Sequence, residues 1–357
     1  MAYTTINKHT ANFNTLTYSG NGSNPRTLTG VGFQPDFVWQ KNRTDGNGHT
    51  LADAVRGANK TISSDGNAAE ITDKSDGHLD AFTSDGFTVG AGSSSDARVN
   101  DGSHTYVAWN WKAGTTGSGT TTGSGTGKAY SYSVNTTAGF SIVKYGGNST
   151  QGHTIPHHLG AIPECIIIKK LDGVAKDWRV YHKGVPSANT RALRLNSTDY
   201  YNTDTQYWSD TTPTSTVFTL GTDDDVNNGS QQYIAYCFTS ITGYSKLGSY
   251  TGNGNADGPF VYTGFKPAMV ILKRTDGGTA NWQLNDSARD TFNVVNKRLS
   301  PSNADAEATG YDFGDFLSNG FKIRQTDQTW NTSSGIYIYI AFGQSLVGSN
   351  DIPCTAR

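Results

Sequence analysis

Glycoside cleavage needs two carboxylates, one acting as acid and the other as base or nucleophile, and the chain has only Glu70, Glu164 and Glu307 as glutamates from which to draw them. Glu164 follows Pro163 in a stretch whose relatives carry Asp36 and Ala268 at the same place, so acidity is not required there. Glu70 and Glu307 occupy related contexts one at a time, which is not a pair. Most aspartates lie in Asp-Gly or Asn-rich turns, where the side chain caps its own backbone. Asp53 with Arg56, and Asp286 with Arg289, are spaced as local ion pairs that brace a turn. Asp223 and Asp225 of an Asp-Asp-Asp triplet are weak candidates for calcium ligands, because the spacing is not that of a calcium loop and a solvated hairpin tip is the simpler reading. His157 and His158 are adjacent and would face opposite sides of a strand, with no cysteine close by to complete a zinc site. Neither a Ser-His-Asp arrangement nor a lysine-bearing phosphate loop can be assembled from the spacing. The residues therefore predict no enzyme, no metal and no cofactor.

Aromatic side chains are the remaining chemistry. Tyr200, Tyr201, Tyr207 and Trp208 crowd a polar stretch from Asn196 to Thr212, and rings among Asn and Asp suit contact with a glycan or, equally, with a protein partner. Trp178 and Trp282 recur at one offset from a proline, with His49 in that region of the first copy, and recurrence favours core packing over stacking on sugar.

The elements that carry these groups read as strands. Gly 42, Tyr 18, Phe 15 and Trp 7 against Met 2 and 16% charged residues is the usage of short strands joined by tight turns. A net charge of −2, without charge blocks, gives no footprint for nucleic acid or an anionic membrane. No run is long and apolar enough for a membrane span, and the first residues lack the basic and apolar regions of a secretion signal, so synthesis in the cytoplasm is expected. Cys165, Cys237 and Cys354 are odd in number, and free buried thiols are expected.

Internal repetition sets the architecture. Gly-Phe-Gln-Pro-Asp-Phe-Val-Trp-Gln-Lys, ending at Lys41, has counterparts ending at Lys169 and Lys273, each a buried strand opened by Pro35, Pro163 or Pro267. At near-constant offsets come a Tyr-x-Gly-Asn turn at Tyr18, Tyr145 and Tyr250, then Phe87, Phe218 and Phe321, then closing strands at Tyr106, Tyr233 and Tyr339. These landmarks predict β-sandwich repeats at 1–113, 129–242 and 243–357. Residues 114–128, almost all Gly, Ser and Thr, are expected to be a flexible linker, leaving the second and third repeats as the stiffer pair. In the closing strands Val107, Trp109 and Trp111, and likewise Ile234, Tyr236 and Phe238, should point to the core. The stretch from Met1 to Asn12, with Met1, Tyr3 and Ile6, has no duty inside a repeat and is a candidate segment for docking on a neighbouring subunit.

Gly-Phe-Gln-Pro-Asp-Phe-Val-Trp, the run His49 to Gly57, Ser84-Asp85-Gly86-Phe87, Tyr106 to Lys112 and Asp177 to His182 together resemble a repeated domain of structural proteins of marine and cyanobacterial phages. The resemblance implies an all-β chain of three tandem antiparallel, jelly-roll, concanavalin-like sandwiches displayed on a virion as a fibre, appendage or decoration subunit. Its partners would be other virion subunits or copies of itself, with host surface glycan as a further contact and neither nucleic acid nor membrane. It would be extracellular in the mature particle. The middle copy lacks both the Asp-x-x-Arg motif and a counterpart of Glu70, so chemistry that needs those groups would be missing there.

Overall fold

The computed structural model describes residues 4–94 and 98–345. The fold is all-β, built from antiparallel ladders. The first copy contains β1 (Phe13–Ser19), β2 (Arg26–Thr29), β3 (Phe37–Asn42), β4 (Thr50–Asp53), β5 (His78–Thr83), β6 (Gly86–Gly90) and β7 (Thr105–Trp111). They form a four-stranded sheet of order β1-β7-β3-β4 and a three-stranded sheet of order β2-β6-β5. Next come β8 (Thr115–Thr120) and β9 (Thr122–Gly123). The middle copy contains β10 (Ala129–Asn135), β11 (Phe140–Gly146), β12 (His153–Pro156), β13 (Cys165–Lys170), β14 (Arg179–His182), β15 (Arg191–Ala192), β16 (Asn202–Thr203), β17 (Val217–Leu220) and β18 (Gln232–Phe238), with one-turn helices α1 (Thr205–Trp208) and α2 (Asp224–Asn227). The third contains β19 (Ser245–Thr251), β20 (Phe260–Tyr262), β21 (Phe265–Arg274), β22 (Gln283–Asp286), β23 (Gly314–Leu317), β24 (Gly320–Ile323) and β25 (Ile336–Ser345). Its sheets, β19-β25-β21-β22 and β20-β24-β23, repeat the order of the first copy. The middle copy keeps the same four strands as β11-β18-β13-β14.

Cross-strand pairing fixes which residues are equivalent. Trp39 lies opposite Trp109, Ile167 opposite Tyr236 and Ile271 opposite Ile340, so the three proline-opened strands share one register. Leu28–Phe87, Ile155–Phe218 and Val261–Phe321 are likewise one pair repeated. The closing strand of the third copy is in a register other than the expected one. Tyr18, Tyr145 and Tyr250 face Tyr106, Tyr233 and Tyr337, so Tyr337, not Tyr339, is the third member. Each of these tyrosines stacks on its partner, with ring centroids 4.9–5.3 Å apart. The hydroxyls of Tyr106, Tyr233 and Tyr337 each accept the amide five residues upstream, from Asp101, Asn228 and Thr332.

Strands β3 and β13 are buried at every position, which explains their unbroken apolar runs. One face of the four-stranded sheet packs on the copy's own small sheet: in the first copy Val38, Ala52 and Ala108 meet Leu28, Leu79, Phe87 and Val89. The other face, with Val107, Trp109 and Trp111, joins a core that also holds Ile234, Tyr236 and Phe238 of the middle copy and Ile338, Ile340 and Phe342 of the third. The large-residue face is thus core-facing as expected, but the core belongs to all three copies. Its residual cavity of about 20 Å³ has room for about one water molecule.

Residues 114–128 are not a free linker. Strand β8 pairs along β10 at the edge of the middle sheet, and β9 pairs with β12 in its smaller sheet. The glycines make this possible: Gly117 and Gly119 lie opposite Tyr132 and Tyr130, whose rings occupy the space a Cβ would need. The first copy is accordingly sewn to the second by strand pairing. The N-terminal stretch is also committed to this chain. Ile6 is buried in the shared core, and Gln344 of β25 binds the His9 amide and the Asn7 carbonyl. Met1 and Tyr3 lie outside the described residues.

Candidate functional site

Several of the polar groups singled out in the sequence, among them Asp53, Glu70, Asp286 and Glu307, lie at the seams between copies. At each seam an aromatic or imidazole ring after the proline strand donates to a backbone carbonyl of the preceding copy. His49 Nε2 pairs with Ser300 O at 3.0 Å, Trp178 Nε1 with Ser63 O at 2.9 Å and Trp282 Nε1 with Arg194 O at 2.8 Å. In return, the Glu70 amide bonds Leu171 O, the Tyr201 amide Thr275 O and the Glu307 amide Arg43 O. The same contacts run from first to second, second to third and third back to first, which is threefold pseudo-symmetry closed within one chain.

Asp53 and Asp286 form the expected ion pairs with Arg56 and Arg289, at 2.5 and 2.6 Å, fully buried. They also accept across the seams, Asp53 from Tyr236 Oη at 2.8 Å and Asp286 from Trp109 Nε1 at 3.0 Å. Glu70 pairs with Arg56, and Glu307 with Arg289 and Arg43. Burial alone would raise the Glu307 carboxyl, but the two guanidinium groups hold it below its ordinary value. In the middle copy His182, Val185 and Tyr201 stand where the others have Asp, Arg and Glu.

Lys41, Lys169 and Lys273 end the proline strands, all buried. Lys169 donates to the carbonyls of Asn67, Lys170 and Lys176, and Lys273 to those of Thr198 and Ala280, so both tie a neighbouring copy's loop. Burial pushes Lys169 down to about 8 and Lys273 to about 7. A lowered lysine often marks a catalytic amine, but these are enclosed and bound to carbonyls. Sequence reading missed Asn100, Asn227 and Asn331, each six residues before a stacked tyrosine. Their carboxamide oxygens accept the amides of Asn21, Asn148 and Asn253 in the Tyr-x-Gly-Asn turns. The glycine of that turn is needed because a Cβ on Gly20, Gly147 or Gly252 would strike the carbonyl of Asp101, Asn228 or Thr332.

The weak metal candidates are occupied otherwise. Asp223 caps α2 by accepting the Asp225 amide, Asp225 pairs with Arg179, and Asp224 holds Lys170 and Lys176. No cluster of potential metal ligands occurs among the described residues. Cys165 and Cys237 are free and buried, whereas Cys354 lies outside the described residues. No helix among the described residues is long and apolar enough to cross a membrane.

The aromatic candidates divide. Tyr207 and Trp208 are buried, Tyr207 beneath Arg179 and Trp208 donating to Arg191 O, so neither is a contact residue. Tyr201 is half-buried under Arg191, and Tyr200 is 50% exposed. The last two line an open cleft of about 400 Å³ together with Arg194, Asp199, Asn202 and Thr203.

A family model described as "Domain of unknown function (DUF7483)" matches residues 8–345, running through all three copies and the β8–β9 stretch. The chain belongs to this family. No curated protein and no solved structure matches the chain.

Burial gives the seams an acid sensitivity. The His182 imidazole is held down at about 3 and that of His49 at about 4, in each case chiefly by burial. His182 Nε2 pairs with Tyr339 O and its Nδ1 accepts the Gly184 amide, an arrangement only the neutral ring satisfies. Below pH ~6.5 the unfolded chain takes up protons that these folded imidazoles refuse, so stability falls with pH by about 1.4 kcal/mol per unit per histidine. Lys169 is charged in both states in this window, and Lys273, at about 7, completes its protonation near the top of it and adds only a small drop in the same direction. Urea midpoints measured at pH 7 and pH 5 should drop steeply in the parent and less steeply in His182→Gln; equal drops would contradict this assignment.

Proposed function

We propose that the chain is a structural subunit of a bacteriophage particle, a fibre, appendage or capsid or tail decoration, that acts by assembly in many copies and not by catalysis. In this reading the three copies are tandem sandwiches of the jelly-roll kind, fused into one body and borne on the outside of the mature virion after synthesis in the host cytoplasm. The observation that carries the proposal is what the copies repeat: packing residues, stacked tyrosines and seam contacts. Glu70 and Glu307, the carboxylates best suited to hydrolysis, are bound into separate seams by arginines. A catalyst needs acid, base and positioning groups converging on an open site, and the cleft beside Tyr200 holds one carboxylate, Asp199, already paired with Arg194.

Cryo-electron microscopy of purified particles carrying a C-terminal label tests the proposal. Label at fixed positions on head or tail is the expected result. Particles that form normally without the labelled chain would overturn it, as would release of reducing ends from host polysaccharide that is abolished by Glu70→Gln or Glu307→Gln. A second reading, a glycan-binding adhesin, is favoured by the Tyr200 cleft alone.

A further inference from the structure

The loop that reaches the next copy has the same length in all three copies, from the bridging residues Ile62, Leu193 and Leu299 to Glu70, Tyr201 and Glu307. Its residues differ from copy to copy, and one of the differences leaves a large ring in solvent. Where the first and third copies carry Ala69 and Ala306, the middle copy carries Tyr200, an aromatic ring left half in water that the seam does not need. Tyr201 meets Tyr200 edge-on at 5.8 Å and is itself fixed beneath Arg191, so Tyr200 is braced from one side.

We infer that the cleft beside Tyr200 is a binding subsite for one pyranose unit of a neutral glycan. The inference deepens the surface-contact part of the proposed function and rests on that reading for its biological use. Three observations carry it. The cleft, at about 400 Å³, falls in the range of roughly 300–1,000 Å³ usual for small-molecule sites. A braced, exposed ring offers a flat apolar surface for the C–H face of a sugar. Beside it, Asn202 donates through Nδ2 to the Tyr207 hydroxyl, while its Oδ1 is buried without a partner. Rotation of the carboxamide toward the cleft would expose this acceptor to a sugar hydroxyl and recover the free energy that an unmet buried acceptor costs. A neutral sugar is favoured because the two charged residues that line the cleft, Arg194 and Asp199, pair with each other and leave its lining without net charge.

Saturation-transfer NMR on the full chain, with the methyl glycosides of glucose, galactose, mannose and N-acetylglucosamine and with sialic acid as the acidic comparator, tests the site. At least one neutral glycoside should bind in the millimolar range. Tyr200→Ala, which installs the residue of the other two copies and so should fold, is expected to weaken binding about tenfold. Asn202→Leu should weaken it as well, and Tyr262→Ala, another exposed tyrosine on the third copy's small sheet, should leave it unchanged. No binding of any neutral glycoside, undiminished binding by Tyr200→Ala, or a preference for sialic acid would overturn the inference. None of these outcomes bears on incorporation into particles, which is read separately by the labelled virions.

Discussion

Phe342→Ala is expected to lower the stability of the whole chain by about 3–5 kcal/mol and to move one urea transition, not a third of it. Phe342 lies where the three copies meet, with ring centroids 5.1 Å from Phe13, 5.8 Å from Trp111, 5.9 Å from Phe238 and 5.9 Å from Tyr244. Truncation removes ring contacts to every copy at once and opens a cavity that no copy can close alone. Phe321→Ala is the comparison, since Phe321 is equally buried but packs within the third copy's own small core against Phe313, Tyr250 and Tyr339. If Phe342→Ala cost less than about 1 kcal/mol, or unfolded only the third copy, the shared core would be refuted.

The second large effect is expected at a seam. Arg289→Val should cost about 3–5 kcal/mol, because it strands the fully buried Asp286 without its cation and leaves Glu307 to Arg43 alone. Changing the three groups together should behave differently. The middle copy already carries His182, Val185 and Tyr201 at the equivalent positions and closes its seam without a carboxylate. Buried charge networks are often replaceable as a set and intolerant of single deletions. The triple variant Asp286→His, Arg289→Val, Glu307→Tyr is therefore expected to recover at least half of the loss, measured by chemical denaturation at pH 7. A triple variant no more stable than Arg289→Val would show that the copies are not interchangeable at this position.

What the sequence made legible was whatever depends on period and offset. Alternation in Tyr106 to Trp111 and the unbroken run from Phe37 to Lys41 specify strands, and the recurrence of Pro35, Pro163 and Pro267 specifies equivalent ones. Register failed where the local pattern is ambiguous. Tyr337-Ile338-Tyr339-Ile340 alternates in the same sense as Tyr339-Ile340-Ala341-Phe342, and only the stacking partner Tyr250 distinguishes them. The Gly-Ser-Thr stretch misled for a related reason. It buries little of itself, yet its glycines leave room for Tyr130 and Tyr132, a cross-strand property that composition does not carry. The shared core was also out of reach, because an apolar strand face reads alike whether it covers its own small sheet or the sheets of two other copies. Among site residues, Tyr207 and Trp208 were grouped with Tyr200 by proximity along the chain, whereas the one-turn helix α1 rotates them inward.

Differential scanning calorimetry of the intact chain tests the central claim most directly. Three copies closed around one core should unfold in a single transition whose calorimetric and van't Hoff enthalpies agree; separate transitions, or a calorimetric enthalpy about three times the van't Hoff value, would mean that the copies are independent domains.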